Sequence, residues 1–199
     1  MRRFVVIGAR ATASADFLLG DIPGTSGRID VLLRCLRASL LVSHGVRRDT
    51  LVYLVLLGGA RAPCTLRVEG ATARFLRPDE RSLAVLVQKS LAARTGSRHF
   101  VTVRPGVSVA DAGFDAVLAD VPSGDFYLLD EAGDDIRDAP LDPRDATFVL
   151  GDHLGLDDQA RAQLSSLGAR TLRVGPVSVH ADDAIAVVTN ELDRRAEPR

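Results

Sequence analysis

Cysteine, lysine and long apolar runs are scarce, and each scarcity excludes something. Only Cys35 and Cys64 occur among 199 residues, with no CxxC pair, so neither a thiolate zinc site nor a disulfide framework is expected. Two reduced thiols fit a reducing compartment. The four histidines, His44, His99, His153 and His180, are scattered and form no HExxH pair, and no metal is expected. No apolar run approaches the roughly 20 residues that cross a bilayer. Met1-Arg2-Arg3 leads straight into a strand-like Phe4-Val5-Val6-Ile7-Gly8 without a long apolar region or cleavage site. The expectation is a soluble, cytoplasmic protein with no membrane partner. GxGxxG and Walker loops are also absent, which disfavours a ligand rich in phosphate.

Lys89 is the sole lysine, so the positive charge is nearly all arginine. It is unevenly placed. Residues 1–104 hold 17 basic and 7 acidic side chains, a balance of +10, whereas residues 105–199 hold 8 and 19, a balance of −11. Arginine's planar fork suits phosphates and base edges. Two explanations stand: a first half that faces nucleic acid, or an arginine-rich composition neutralised by salt bridges between the halves.

Strand and helix signals alternate. The segment 4–9 is an apolar β-type run. Thr25 and Ser26 are possible caps for a helix with an Ile29, Leu32, Leu33, Leu36, Leu40, Leu41 stripe and a stop at Gly45. Residues 50–59 are continuously apolar, as buried parallel strands require. Residues 64–76 alternate around Glu69-Gly70, which predicts a hairpin there. Pro78-Asp79-Glu80 opens a helix to about Arg94. Residues 115–121 are ambiguous. Strands are expected to end near Leu129, over 148–151 and over 171–176, with a short helix stopped by Gly168 and a final helix over 182–195. The pattern is α/β in a single domain over residues 1–199, with a small β-hairpin extension near 60–76.

Three of these strands end in small or acidic turns: YLLDEAG, FVLGDHLG and LRVGPVSVH. In open α/β sheets, ligands sit beyond the carboxyl ends of strands. Three ordinary strand-to-helix turns would look the same, so spacing alone leaves both meanings open. Five longer stretches add more: GTSGRIDVLLRCLRASLLVSHGVRRDT, LRPDERSLAVLVQKSL, FVLGDHLGL, VGPVSVHADDAI and NELDRR, in this order. With these motifs the chain resembles, over about residues 4–195, the TrmY family of tRNA pseudouridine N1-methyltransferases, a branch of the SPOUT class. The resemblance implies a parallel sheet with a C-terminal trefoil knot in a cofactor-binding half, about 115–195, and a homodimer. It implies methylation by S-adenosylmethionine of N1 of pseudouridine, at position 54 of tRNA. It implies cofactor walls formed by Leu128 or Leu129, by Gly151, Asp152 and His153, and by Val174, Gly175, Pro176, Val177, Ser178 and Val179. Ala184 stands where the family commonly carries cysteine. The alternatives are a knotted RNA-binding protein without methyl transfer, or a methyltransferase for another RNA or a free C-nucleoside.

Pseudouridine N1 is an imide-like N–H and a poor nucleophile until its proton is lost or shared. A proton acceptor and a donor to the ring carbonyl both help. In GRIDVLLR, Arg28 is a candidate for a carbonyl or phosphate, and Asp30 for the N1 proton or for orienting Arg28. Arg34 shares a helix face with Asp30. An ordinary ion pair on the first helix is the bland alternative. Arg47, Arg48 and Arg61 are further candidates for RNA phosphates.

Overall fold

The computed structural model describes residues 1–121 and 124–197. Its centre is one eight-stranded sheet, ordered β10-β8-β9-β1-β4-β5-β7-β6. Strands β1 (Arg2–Thr12), β4 (Thr50–Gly58), β8 (Phe126–Asp135), β9 (Ala146–Gly151) and β10 (Arg170–Arg173) run parallel. Strands β5 (Cys64–Glu69), β6 (Val101–Arg104) and β7 (Val107–Ala110) continue it antiparallel.

Helices cover both faces, as a parallel sheet demands. Alternate residues of β1 point to opposite sides. Phe4 and Val6 join the core under α2 (Ile29–Leu40), α3 (Glu80–Ala92) and α6 (Ala181–Ala196). Val5 and Ile7 join the core under α4 (Phe114–Asp120) and α5 (Asp158–Ser166). On the first face Phe148 stacks between Phe4 and Tyr127, with ring centroids at 5.6 and 5.4 Å. A four-residue helix, α1 (Ile22–Thr25), precedes α2.

Several expectations shift for visible reasons. The N-cap of α2 is Arg28, and Ser26 supports the helix start from further back, its hydroxyl accepting from the Ile29 amide at 3.0 Å. The helix stops at Leu40, before Gly45, because Leu41–Val42 (β2) and Gly45–Val46 (β3) pair as a two-stranded turn. Glu69-Gly70 is a strand end, and the hairpin turn lies instead between β4 and β5. A Cβ at Gly70 would lie 1.9 Å from the Arg47 carbonyl oxygen, so only glycine fits that close approach. β5 belongs to the main sheet, where an extension was expected. The ambiguous 115–121 stretch is α4, and β6 and β7 fill a region without a sequence signal. Asp79 caps α3 by accepting from the Ser82 amide at 2.8 Å. Among the described residues no helix is long and apolar enough to cross a membrane. Nor does any group of three or more His, Cys, Asp or Glu side chains there assemble a metal site.

The charge asymmetry is partly internal. Arg2 and Arg47 pair with Asp193, Arg3 with Asp145, Arg67 with Asp120 and Arg94 with Asp111, each joining the basic half to the acidic half.

Candidate active site

Three turns leave the carboxyl ends of β8, β9 and β10 on one side of the sheet and meet. The first is an excursion inside β8. Leu128 pairs with Thr171, but the next residue of β10, Leu172, pairs with Asp134. The residues between, Leu129 to Gly133, are pushed out of the ladder. Gly133 makes the return possible, since a Cβ there would lie 2.5 Å from the Leu172 amide nitrogen. The second turn is Gly151–Gly155. Asp152 is buried, and its carboxylate accepts from the amides of Ala9 at 3.0 Å and Leu154 at 2.8 Å. Its own amide donates to the Ile7 carbonyl at 2.9 Å. The loop then doubles back so closely that a Cβ on Gly151 would sit 2.3 Å from the Gly155 carbonyl carbon, and Gly155 itself has φ +75°. The third turn, after Arg173, runs to α6.

These turns enclose a cavity of about 710 Å³. Leu129, Gly151, Asp152, His153, Val174, Gly175, Val177, Ser178, Val179 and Ala184 line it. Leu128 does not, because it packs into the core on the α4–α5 face. Pro176 is exposed outside it. The wall also includes residues that the motifs did not single out: Leu150 and Leu172 below, Arg161 on α5, Asp130 and Glu131 on the β8 excursion, and Asp182 on α6. The acidic DEAG turn was the available signal for the excursion, whereas nothing in the sequence marks Arg161.

Arg28 and Arg34 form the basic edge of this cavity. Arg28 takes the left-handed conformation, φ 72°, just before α2. Asp30 does not reach the cavity wall. Its side chain is 4% exposed and accepts from Arg28 Nε at 2.9 Å, Arg28 Nη2 at 3.0 Å and Arg34 Nη1 at 3.0 Å. Burial pushes the Asp30 carboxyl pKa up, but hydrogen bonds and charge from the two arginines outweigh it, and the net shift is downward from 3.8. The bond to Asp30 raises the pKa of Arg28 in turn. A carboxylate so saturated is a weak proton acceptor and a good orienting group.

Other carboxylates on the wall are also engaged. Asp130 accepts from the Ala132 amide and from Arg161, each at 3.1 Å, and Glu131 accepts from the Ser178 hydroxyl. Asp182 has a looser partner, Arg34 at 3.8 Å.

The remaining arginine candidates lie apart from the cavity. Arg47 grips Asp193 with two hydrogen bonds of 3.0 and 2.7 Å, a structural task. Arg48 donates to the Ala71 carbonyl at 3.2 Å. Arg61 is exposed, and its carbonyl accepts from Arg94 at 3.0 Å.

Residues 1–196 match the family described as "Putative SAM-dependent RNA methyltransferase". A Methanosarcina acetivorans protein named tRNA (pseudouridine(54)-N(1))-methyltransferase is 41% identical over 199 residues, covering 100% of this chain and 94% of its own. The chain belongs to the TrmY family. TrmY-family proteins of the same name from Halobacterium salinarum and Thermococcus gammatolerans are 41% and 39% identical, covering 97% and 100% of this chain and 96% and 100% of their own. The fold matches a crystal structure of Archaeoglobus fulgidus Nep1 bound to S-adenosylhomocysteine, with TM-score 0.65 and 18% identity over 98% of this chain and 99% of that one.

Proposed function

We propose that this protein transfers a methyl group from S-adenosylmethionine to N1 of pseudouridine at position 54 of tRNA. The observation that carries the reading is the convergence of three main-chain turns on one cavity edged by Arg28 and Arg34, in a chain that matches relatives of that printed name over its whole length.

The cavity suits the cofactor. Its volume falls within the roughly 300–1,000 Å³ usual for small-molecule sites. Leu150, Leu172, Val174 and Ala184 offer apolar surface for an adenine. A Cβ added to Gly155 or Gly175 would meet nothing within 4 Å, so both backbones are open toward their surroundings. The residues that would hold it are Leu129 and Ala132 from the first turn, Gly151 and His153 from the second, and Val174, Gly175, Val177, Ser178 and Val179 from the third. S-adenosylmethionine, when bound, supplies an electrophilic methyl group.

This chain's own residues then have three tasks. Arg28, locked by Asp30, donates to a ring carbonyl and stabilises the charge that grows as N1 loses its proton. Arg34, one helical turn after Asp30 and bonded to the same carboxylate, holds the substrate beside it. Asp182 is the acceptor for the proton, since Asp30, Asp130, Glu131 and Asp152 all have shorter partners. Asp182→Asn is expected to lower kcat about 100-fold or more while leaving cofactor binding and hairpin affinity intact; an unchanged kcat refutes the assignment.

The finer architecture follows the SPOUT pattern: one domain, a C-terminal trefoil knot, and a homodimer. The β8 excursion supports the knot. It interrupts the ladder with β10, the Ile136 amide donates to the Arg173 carbonyl at 3.0 Å, and Arg195 of α6 donates to the carbonyls of Ile136, Arg137 and Ala139 in the connection that follows β8. An experimental backbone that pulls straight from both ends refutes it. Exposed Leu154, Val177 and Val179 near the cavity support a second copy covering that rim, and a monomer in sedimentation refutes the dimer.

The deciding assay measures methyl transfer to two T-arm hairpins that differ only in pseudouridine or uridine at the target position. Transfer to the first alone is expected. Bound cofactor without transfer to either points to an RNA-binding protein, and transfer to a free C-nucleoside alone moves the substrate.

A further inference from the structure

Resting on the RNA reading, we propose that Phe75 is a base-stacking residue for a nucleotide that lies outside the methylation cavity, on a track leading away from Arg34. Phe75 is 90% exposed, the most exposed large apolar side chain among the described residues. It also has φ +60°, one of two non-glycine residues on the left-handed side among the described residues. A bulky residue rarely adopts this conformation, and such outliers concentrate at functional sites. The turn therefore holds the ring outward into water, with no core to reward it.

The surroundings point to nucleic acid. Arg74 and Arg77 flank Phe75 in sequence, both exposed and with no carboxylate within 4.0 Å among the described residues. Many other arginines of the basic half are neutralised internally, so these belong to its free charge. An aromatic face between unpaired arginines is the pattern that grips single-stranded bases and their phosphates.

A second hollow adjoins the cavity at Arg34, and Phe75 lies outside its lining. It measures about 380 Å³ and lies between Leu33, Arg34 and Arg37 of α2 and Pro78, Asp79, Glu80 and Leu83 at the start of α3. Arg34 lines both this hollow and the methylation cavity. Pro78 is three residues from Phe75, at most about 11 Å along the chain. Asp79, which accepts from the Ser82 amide as a helix cap, and Glu80 put negative charge on the α3 side of the hollow, so a phosphate approaches only along its Arg34–Arg37 side. A strand with its target base in the cavity can therefore pass Arg34 and Arg37 and lay a neighbouring base on Phe75.

The protein contains no tryptophan, so Phe75→Trp installs a unique reporter. Binding of a pseudouridine-containing T-arm hairpin is expected to quench its emission, because the indole stacks on a base. Phe75→Ala is expected to raise both Kd and KM for that hairpin about 5- to 150-fold with kcat unchanged. Arg74→Ala with Arg77→Ala is expected to lower the magnitude of the salt slope of binding by about 1.4. Wild-type affinity in Phe75→Ala with no quenching in Phe75→Trp overturns the stacking site while leaving the substrate reading in place. Failure of every form, wild type included, to bind the hairpin overturns both. Emission that changes with protein concentration alone, with Phe75→Ala shifted to a smaller species in sedimentation, also overturns it and assigns the ring to contact between two copies of this chain.

Discussion

Asp30→Asn separates an orienting carboxylate from a proton acceptor. Asp30 is almost fully buried and accepts three charge-assisted hydrogen bonds of 2.9–3.0 Å from Arg28 and Arg34. Bonds of this kind contribute about 1.5–3 kcal/mol each. Both arginines are more than a third exposed, at 43% and 39%, and recover water when the charge is removed, which discounts the loss to roughly 2 kcal/mol. For a chain of 199 residues that corresponds to a Tm lower by about 4–8 °C in calorimetry at pH 7. The pH dependence has a definite sign. The folded pKa of Asp30 lies below 3.8, so its stabilisation is complete above that value and disappears as pH falls through the folded pKa. The difference between wild type and variant should therefore close below about pH 4. In turnover, Asp30→Asn should lower kcat without moving the pH–rate profile, and pairing it with Arg28→Ala should cost less than the product of the two single losses. A vanished acidic limb in Asp30→Asn, or a variant as stable as wild type at neutral pH, refutes the orienting role.

Gly151→Ala should weaken S-adenosylmethionine binding by about 100-fold in calorimetric titration, because the added Cβ forces the 152–155 loop out of place. Arg47→Ala should lower Tm by several degrees through loss of its bidentate grip on Asp193 while leaving RNA affinity within about twofold; a large affinity loss with unchanged stability would return Arg47 to the RNA surface. Burial pushes the Cys64 thiol up to about 12 and raises Cys35 further, so neither should react with a thiol reagent at pH 8 until denaturant is added.

The sequence carried the α/β alternation well because apolar periodicity and caps are local. Pro78-Asp79 and Gly168 marked helix ends by chemistry that needs no distant partner. The glycine-bearing turns were also visible, and the reason for Gly151 became plain only with the Gly155 backbone against it. Non-local features were not legible. The β8 excursion depends on β10 skipping from Leu128 to Asp134, which an acidic stretch does not announce. Leu128 and Leu129 look alike in sequence, yet strand alternation sends only one toward the cavity. Arg47 and Arg34 are equally basic, and tertiary contact alone sets one against Asp193 and the other at the cavity edge. Asp30 was recognisable as a partner of its arginines, but its burial beneath them was not.

The last helix has a consequence for how the protein is made. Asp193 binds Arg2 across 191 positions of the chain, and the same helix brings Ala181, Asp182 and Ala184 to the cavity wall. A nascent polypeptide therefore holds no finished donor site while α6 is still inside the ribosome, although β1, the strand at its base, was synthesised first. Assembly of the catalytic half waits for the C-terminal helix, and such long-range closure is slow.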